Sequence, residues 1–245
     1  MNIKEMIGKV LNNILNLFGY EVKRKFSDFY LHEYSSYEEY RRIQILHNKR
    51  KLTEVWADKA TLDLVVERVR NEFPGLDTLS AICHGTRNGF EQNYIASKMK
   101  VDIVGTDISE TANQFPRSVQ WDFHNRNDKW INRQNFIYSN SLDQSWKPQL
   151  ALTTWLEQLQ GGGMIFIEHT EAHGPQGAGE MDPFGASPYY LPYLLCDWFR
   201  HQIAVEIIKS TKSNSGSKVW LFVVKKLNNA TCAATGRAAE TPQRH

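Results

Sequence analysis

The sequence predicts an α/β protein with a doubly wound sheet of seven strands, mostly parallel, in which the last strand is antiparallel. Between residues 79 and 168, short apolar runs alternate with stretches that suit helices, which is typical of parallel strands joined by crossover helices. A glycine turn follows the first run, and an acidic residue follows the second. Two later apolar runs are close enough in the chain to pair antiparallel.

The individual elements follow from the same pattern. Strands are expected at about 79–83, 102–106, 118–121, 135–139 and 162–168, and then at 203–209 and 218–226. Helices fit at about 89–99, 109–114 and 149–159, and an apolar helix at about 188–200. Upstream of the sheet, Asp58 is a good N-cap for a helix over 59–73. The α/β domain is therefore expected to span residues 58–227.

Residues 1–57 are expected to form a basic, amphipathic helical extension, and residues 228–245 a disordered tail. Residues 1–51 hold ten Lys and Arg against six Asp and Glu, although the whole chain has a net charge of only +2. This local excess is typical of a segment with an anionic partner. Two interpretations stay open for residues 1–25: peripheral contact with an anionic membrane surface, or docking on the protein's own domain or on a partner subunit.

Composition excludes several classes of protein. At 245 residues with 41% apolar and 23% charged residues, the chain resembles a soluble globular protein, and no run reaches eighteen apolar residues. The three cysteines, at positions 83, 196 and 232, have no metal-binding spacing and suit a reducing compartment. We expect a cytoplasmic location, and the small net charge does not by itself indicate nucleic-acid binding.

The glycine turn and the acid together predict a nucleoside pocket. Gly85 and Gly89 would let the backbone approach a ligand, because they carry no Cβ. The helix after the turn would offer free N–H groups to an anionic group. Asp107, at the tip of the second strand, can accept two hydrogen bonds from ribose hydroxyls.

The glycine turn, the acid after the second strand and the order of the strands make residues 60–226 resemble the class I S-adenosylmethionine-dependent methyltransferases, which have a Rossmann-like fold. The first motif of that family is an acid followed by three glycines at alternate positions, and the matching positions here are Cys83, Gly85, Arg87 and Gly89. Cys83 replaces the acid, and Arg87 replaces the middle glycine. The resemblance implies S-adenosylmethionine as cofactor, with Asp107 at its ribose.

The resemblance also implies the rest of the cofactor site. Asp122 would accept from the adenine amino group beside Phe123, and the segment after the fourth strand would face the sulfonium. The implied cofactor residues are Cys83, His84, Gly85, Thr86, Arg87, Gly89, Asp107, Ile108, Asp122, Phe123, Ser139 and Asn140.

Candidate catalytic groups lie after the fourth and fifth strands. A long Gly/Pro loop over 169–187, typical of a lid, carries His169 and His173, and Asp143 supplies a carboxylate. If the acceptor is a hydroxyl, a base must remove its proton, and His169 is the first candidate because it follows the strand end directly. No metal is expected, although the two histidines could bind a divalent cation with Asp143, Glu180 and Asp182.

The function we expect is O-methylation of a small molecule or of a saccharide or glycan-precursor hydroxyl. The segment Gly19–Arg24 is similar to one found in methyltransferases that act on sugars or lipid-linked glycans. Three alternatives stay open: an RNA methyltransferase that uses Arg41, Arg42 and 49–51 on phosphates, a nicotinamide-dependent oxidoreductase, and a non-catalytic relative that acts in assembly.

Overall fold

A computed structural model describes residues 28–213 and 215–228 of the chain. The predicted helix and membrane contact at residues 1–25, the Gly19–Arg24 pattern and residues 229–245 of the predicted tail lie outside the described residues.

The described residues form nine strands and five α-helices. The strands are β1 (Phe29–Leu31), β2 (Leu79–His84), β3 (Val101–Asp107), β4 (Ser118–Gln120), β5 (Gln134–Ser139), β6 (Leu159–Thr170), β7 (Phe184–Ala186), β8 (Ile203–Thr211) and β9 (Lys218–Lys226). The α-helices are α1 (Tyr37–Arg50), α2 (Lys59–Glu72), α3 (Phe90–Lys98), α4 (Pro148–Gln158) and α5 (Leu191–Phe199).

The main sheet has seven strands in the order β4-β3-β2-β5-β6-β9-β8. The first five in this order are parallel, and β9 lies antiparallel between β6 and β8. The predicted α/β class, the mostly parallel sheet and the antiparallel last strand are therefore confirmed.

Helices cover both faces of this sheet. Along β5, Ile137 belongs to an apolar cluster with α4 and α5, whereas Phe136 and Tyr138 belong to a second cluster with α2 and α3. Neighbouring residues of a strand point to opposite faces, so the two clusters are the two layers of a doubly wound fold. The predicted N-cap is confirmed, since the Asp58 carboxylate accepts from the Thr61 N–H at 2.9 Å.

The structure corrects two local predictions. The helix expected at 109–114 is a 3₁₀ turn over Glu110–Gln114. The segment expected to be a loop at 169–187 is partly in strands. Strand β6 continues to Thr170, and β7 pairs antiparallel with β1. Strands β1 and β7 have three residues each, which is too short for an alternating apolar pattern to be recognised in the sequence. In the part of the chain that the structure describes, no helix is long and apolar enough to cross a bilayer.

Candidate active site at the carboxyl edge of the sheet

Two joined cavities lie where the parallel strands end. We call them the narrow cleft and the wide hollow. Both are lined by Lys51, Gly85, Arg87, Gln144 and Asp182. The narrow cleft adds Tyr40, Gln44, His47, Asn48, Asp107, Ile108, Asp122, Phe123 and Met181. The wide hollow adds Glu54, Val55, Trp56, Thr86, Asn88, Glu91, Asn140, Ser141, Asp143, Ala172 and His173.

The β2–α3 turn brings the two cavities together. Gly85 has φ of +74°, and a Cβ there would lie 2.5 Å from the Ser141 Cβ. The Ser141 hydroxyl donates to the Gly85 carbonyl at 3.0 Å. Gly85 is therefore required by the left-handed backbone and by the approach of Ser141, rather than by a ligand alone. Gly89, with φ of +80°, caps α3 and does not line either cavity.

Asp107 stands at the end of β3, as predicted, and is held by two backbone donors. Its carboxylate accepts from the Arg87 N–H at 3.0 Å and from the Ser109 N–H at 2.9 Å. Burial raises the pKa of Asp107 to about 6, although these bonds and the Arg87 charge oppose the rise. A carboxylate has about four lone-pair positions; two face these backbone donors, and the Asn48 side chain of α1 also bonds to the group.

Asp122 has fewer hydrogen-bond acceptor positions left than a free carboxylate. It accepts from the backbone N–H and Nδ1 of His124 at 2.9 and 2.6 Å, and from the Tyr37 hydroxyl at 2.8 Å. Burial acts to raise the pKa of Asp122, but the bonds from His124 outweigh it and the pKa lies below its usual value. One acceptor position is left for an amino group.

Helix α1 closes the narrow cleft. Tyr40 is 2% exposed, stacks on Trp146 and donates from its hydroxyl to the Gln144 carbonyl at 3.1 Å. The cleft has a volume of about 30 Å³, whereas ligand pockets usually have roughly 300–1,000 Å³. The sequence predicts an open nucleoside pocket here, and the structure shows a closed one. A nucleoside would need more room than this cleft has.

The wide hollow has a volume of about 270 Å³ and contains two buried carboxylates. Asp143 Oδ1 and Glu91 Oε2 each lack a hydrogen-bond partner within residues 28–213 and 215–228. Burial raises the pKa of both groups to about 7. Both carboxyl groups can therefore change protonation near neutral pH.

His173 lies beside Asp143. Its Nδ1 accepts from the Thr170 N–H at 3.3 Å, so its proton is on Nε2, which lies 3.7 Å from Asp143 Oδ2. Burial lowers the pKa of His173 to about 4, and the ring is therefore neutral at pH 7. The carboxylate, not the histidine, is the basic member of this pair.

The structure does not place His169 at either cavity. Because β6 continues past it, His169 pairs with Trp220 of β9, and its Nε2 lies 3.0 Å from the Ala186 carbonyl oxygen. Burial lowers the pKa of His169 to about 3, so it is a poor base. The prediction placed it just past the strand end, and the true strand end is Thr170.

His84 is also a core residue. Its ring nitrogens lie 2.8 Å from Thr106 Oγ1 and 2.9 Å from Gln158 Oε1, and the ring stacks on Trp155. Cys83 is fully buried in the α2–α3 layer. Ser139, also fully buried, donates to the His84 carbonyl and does not line either cavity.

Eight of the predicted cofactor residues line the cavities: Gly85, Thr86, Arg87, Asp107, Ile108, Asp122, Phe123 and Asn140. Of the predicted catalytic residues, Asp143 and His173 do so. The sequence interpretation missed Tyr40, Trp56 and Glu91. Only Glu91 had a local signal, since it shares a helix face with the buried Ile95 four residues later.

The alternative metal site receives no support from the geometry. Among the residues that the structure describes, no group of three or more His, Cys, Asp or Glu side chains is arranged to hold a metal ion.

Comparison with known proteins identifies the fold. No protein-family model matches this chain, and no curated protein does. Among solved structures, it is similar to 1,6-didemethyltoxoflavin-N1-methyltransferase of Burkholderia thailandensis, at 12% identity and a TM-score of 0.61 over 80% of this chain and 92% of that one.

Two further structures show the same architecture. One is a chain from the complex of the Haloferax volcanii Trm112 methyltransferase activator with a methyltransferase, at 12% identity and a TM-score of 0.56 over 78% of this chain and 98% of that one. The other is the CurJ carbon methyltransferase, at 12% identity and a TM-score of 0.54 over 69% of this chain and 54% of that one. The chain therefore has the Rossmann-like fold of the class I S-adenosylmethionine-dependent methyltransferases.

Proposed function

We propose that this protein is an S-adenosylmethionine-dependent methyltransferase that acts on a hydroxyl group of a small molecule or saccharide. The proposal rests above all on Asp143, a largely buried carboxylate that lines the wide hollow and whose Oδ1 has no hydrogen-bond partner in the described residues. Its pKa of about 7 suits a general base at neutral pH. The Burkholderia methyltransferase is described with S-adenosylhomocysteine bound, which supports the same cofactor class here.

The donor groups at the sheet edge fit this cofactor in their chemistry. Asp107 has two acceptor positions beyond its backbone donors, and a ribose hydroxyl would take over the one that Asn48 of α1 uses. Asp122 has one position for the adenine amino group, and Phe123 lines the cleft beside it. The wide hollow is the larger space and would hold the amino-acid part and the acceptor. Helix α1 would then cover the adenosine after moving aside to admit it.

The catalytic role of this chain is to move a proton. When bound, the cofactor would supply a methyl group from a positively charged sulfur. The rest of the cofactor would then leave as a neutral thioether. As the acceptor oxygen forms its bond to carbon, the hydroxyl proton passes to Asp143. The neutral His173 lies beside that carboxylate, with its Nε2 3.7 Å from Asp143 Oδ2. Val55 and Trp56 form an apolar wall of the hollow.

Two basic residues of the RNA alternative, Arg41 and Arg42, are exposed, whereas the lysines that follow them are engaged elsewhere. Lys49 forms an ion pair with Glu110, and Lys51 lines both cavities instead of extending a basic face. Saccharides remain the preferred acceptor class within the proposal. A panel of hydroxyl-bearing small molecules, saccharides and RNA, incubated with S-adenosylmethionine and analysed by mass spectrometry, identifies the acceptor.

Asp143→Asn should lower the rate of methyl transfer by about 10²–10⁴-fold, because the amide cannot take the hydroxyl proton. In the wild type, the rate should rise with pH through about 7 as Asp143 loses its proton, and the variant should lack this rise. Steady-state kinetics from pH 5.5 to 8.5 measure both effects.

The matched control is Asp128→Asn, which changes an exposed aspartate paired with Arg126. We expect wild-type kinetics from it. If Asp143→Asn kept the wild-type rate and pH profile, Asp143 would not be the base. Transfer to RNA alone would replace the hydroxyl proposal with the nucleic-acid alternative.

A further inference from the structure

The chain lacks an anion at the position where the resembling family has its first acid. Cys83 stands there, and its side chain is fully buried. Burial raises the pKa of its thiol well above the usual value, so the group is neutral. Nothing at this position can balance a positive charge on a ligand.

A carboxylate lies nearby in the first turn of α3. Glu91 is 5% exposed and lines the wide hollow. Its Oε1 accepts from the Asn140 amide at 3.3 Å, and its Oε2 has no partner in the described part of the chain. A buried acceptor without a donor is costly, so this atom is suited to a ligand that brings an N–H group.

The surroundings of Glu91 also favour a cationic ligand. Glu168 of β6 adds a repelling charge, and Arg87 of the turn adds an attracting one. Tyr138 and Cys83 are also close to it. The other titratable or charged residues that line the hollow are Lys51, Glu54, Asp143, His173 and Asp182. Since burial and Glu168 together raise the pKa of Glu91 to about 7, a cation beside it would stabilise the ionised form.

We propose that Glu91 binds the ammonium group of the cofactor's amino-acid part and so replaces the acid missing at Cys83. This inference rests on the proposed function. An ammonium group has three N–H donors that match the free Oε2, whereas a sulfonium has none. The negative charge is then in the first turn of α3 instead of at the end of β2. The free N–H groups of that turn also stabilise a carboxylate.

The test compares two ligands in calorimetric titrations. S-adenosylhomocysteine has the amino-acid part, and 5′-methylthioadenosine has the same adenosine and sulfur without it. Glu91→Gln should weaken binding of S-adenosylhomocysteine about tenfold to a hundredfold, the usual effect of a lost charged hydrogen bond. It should change binding of 5′-methylthioadenosine less than about twofold. Glu67→Gln, on the exposed face of α2, is the control and should change neither.

A second arm varies the pH and compares the wild type with Glu91→Gln. Lowering the pH from 8 to 6 protonates Glu91, so the preference for S-adenosylhomocysteine over 5′-methylthioadenosine should fall about tenfold. The fall should persist in Asp143→Asn, which lacks the other carboxyl group of the hollow with a pKa of about 7. Asp107 would bind the ribose of both ligands, so a change in its protonation changes both affinities equally and leaves their ratio unchanged. Glu91→Gln should show no such change.

The outcomes separate the two proposals. Equal weakening of both ligands, no weakening of either, or a preference that does not depend on pH would overturn the role of Glu91 and leave the cofactor assignment standing. Failure of the wild type to bind either ligand would contradict the proposed function, and the inference with it.

Discussion

Asp107→Asn should weaken the binding of S-adenosylhomocysteine by about 2–4 kcal/mol, or roughly thirtyfold to a thousandfold. The carboxylate accepts from the N–H groups of Arg87 and Ser109, and its two other positions, one of them used by Asn48, would take the ribose hydroxyls. An amide nitrogen cannot accept, so the variant must give up a backbone donor or a ribose hydroxyl. Binding of 5′-methylthioadenosine should weaken by the same factor, since both ligands carry the ribose.

The control is Asp102→Asn, at the opposite end of the same strand, where the side chain is exposed. It should bind both ligands as the wild type does. Because the pKa of Asp107 is about 6 and the ligand needs the ionised form, wild-type affinity should fall as pH drops below 6. Unchanged affinity in Asp107→Asn would remove this residue from the ribose site.

Lys212→Met should lower the free energy of unfolding by about 3–5 kcal/mol, the usual result of breaking a buried ion pair from one side. Lys212 Nζ lies 2.8 Å from Glu168 Oε1, and the side chains are 3% and 0% exposed. The substitution leaves the buried Glu168 carboxylate with only the Tyr138 hydroxyl, which donates to it at 2.7 Å. Lys212 also donates to the Trp56 carbonyl and lies over that ring, so it anchors one wall of the wide hollow.

Urea unfolding measures this effect, with Lys209→Met on the exposed side of β8 as the control, expected within about 0.5 kcal/mol of the wild type. The double variant Lys212→Met, Glu168→Gln should recover part of the loss, because no unpaired charge is then buried. A single variant as stable as the wild type would show that the pair does not hold this part of the fold together.

The sheet could be predicted because its information is local. Strands β2, β3, β5 and β6 each contain a short apolar run, and the helices between the strands have their own period. The antiparallel pair β8 and β9 follows from the short connection between its strands. The pairing of β1 with β7 could not be predicted, since it joins three-residue segments more than 150 positions apart.

The candidate site was predicted only where the chain order determines it. Asp107 and Asp143 follow strand ends, and parallel strands bring those ends to one edge. His169 was misplaced by a two-residue error in the end of β6, which is enough to put its ring inside the fold. Glu91, Trp56 and Lys212 depend on contacts between distant segments. The closure of the narrow cleft by Tyr40 depends on where α1 packs, which no sequence period specifies.

The most direct test of the cofactor assignment is a calorimetric titration of the wild-type protein with S-adenosylhomocysteine at pH 8. The site described here predicts one ligand per chain with a Kd on the order of micromolar. The absence of binding up to about 1 mM would contradict the assignment, since Asp107 and the wide hollow would then have no adenosine ligand to hold.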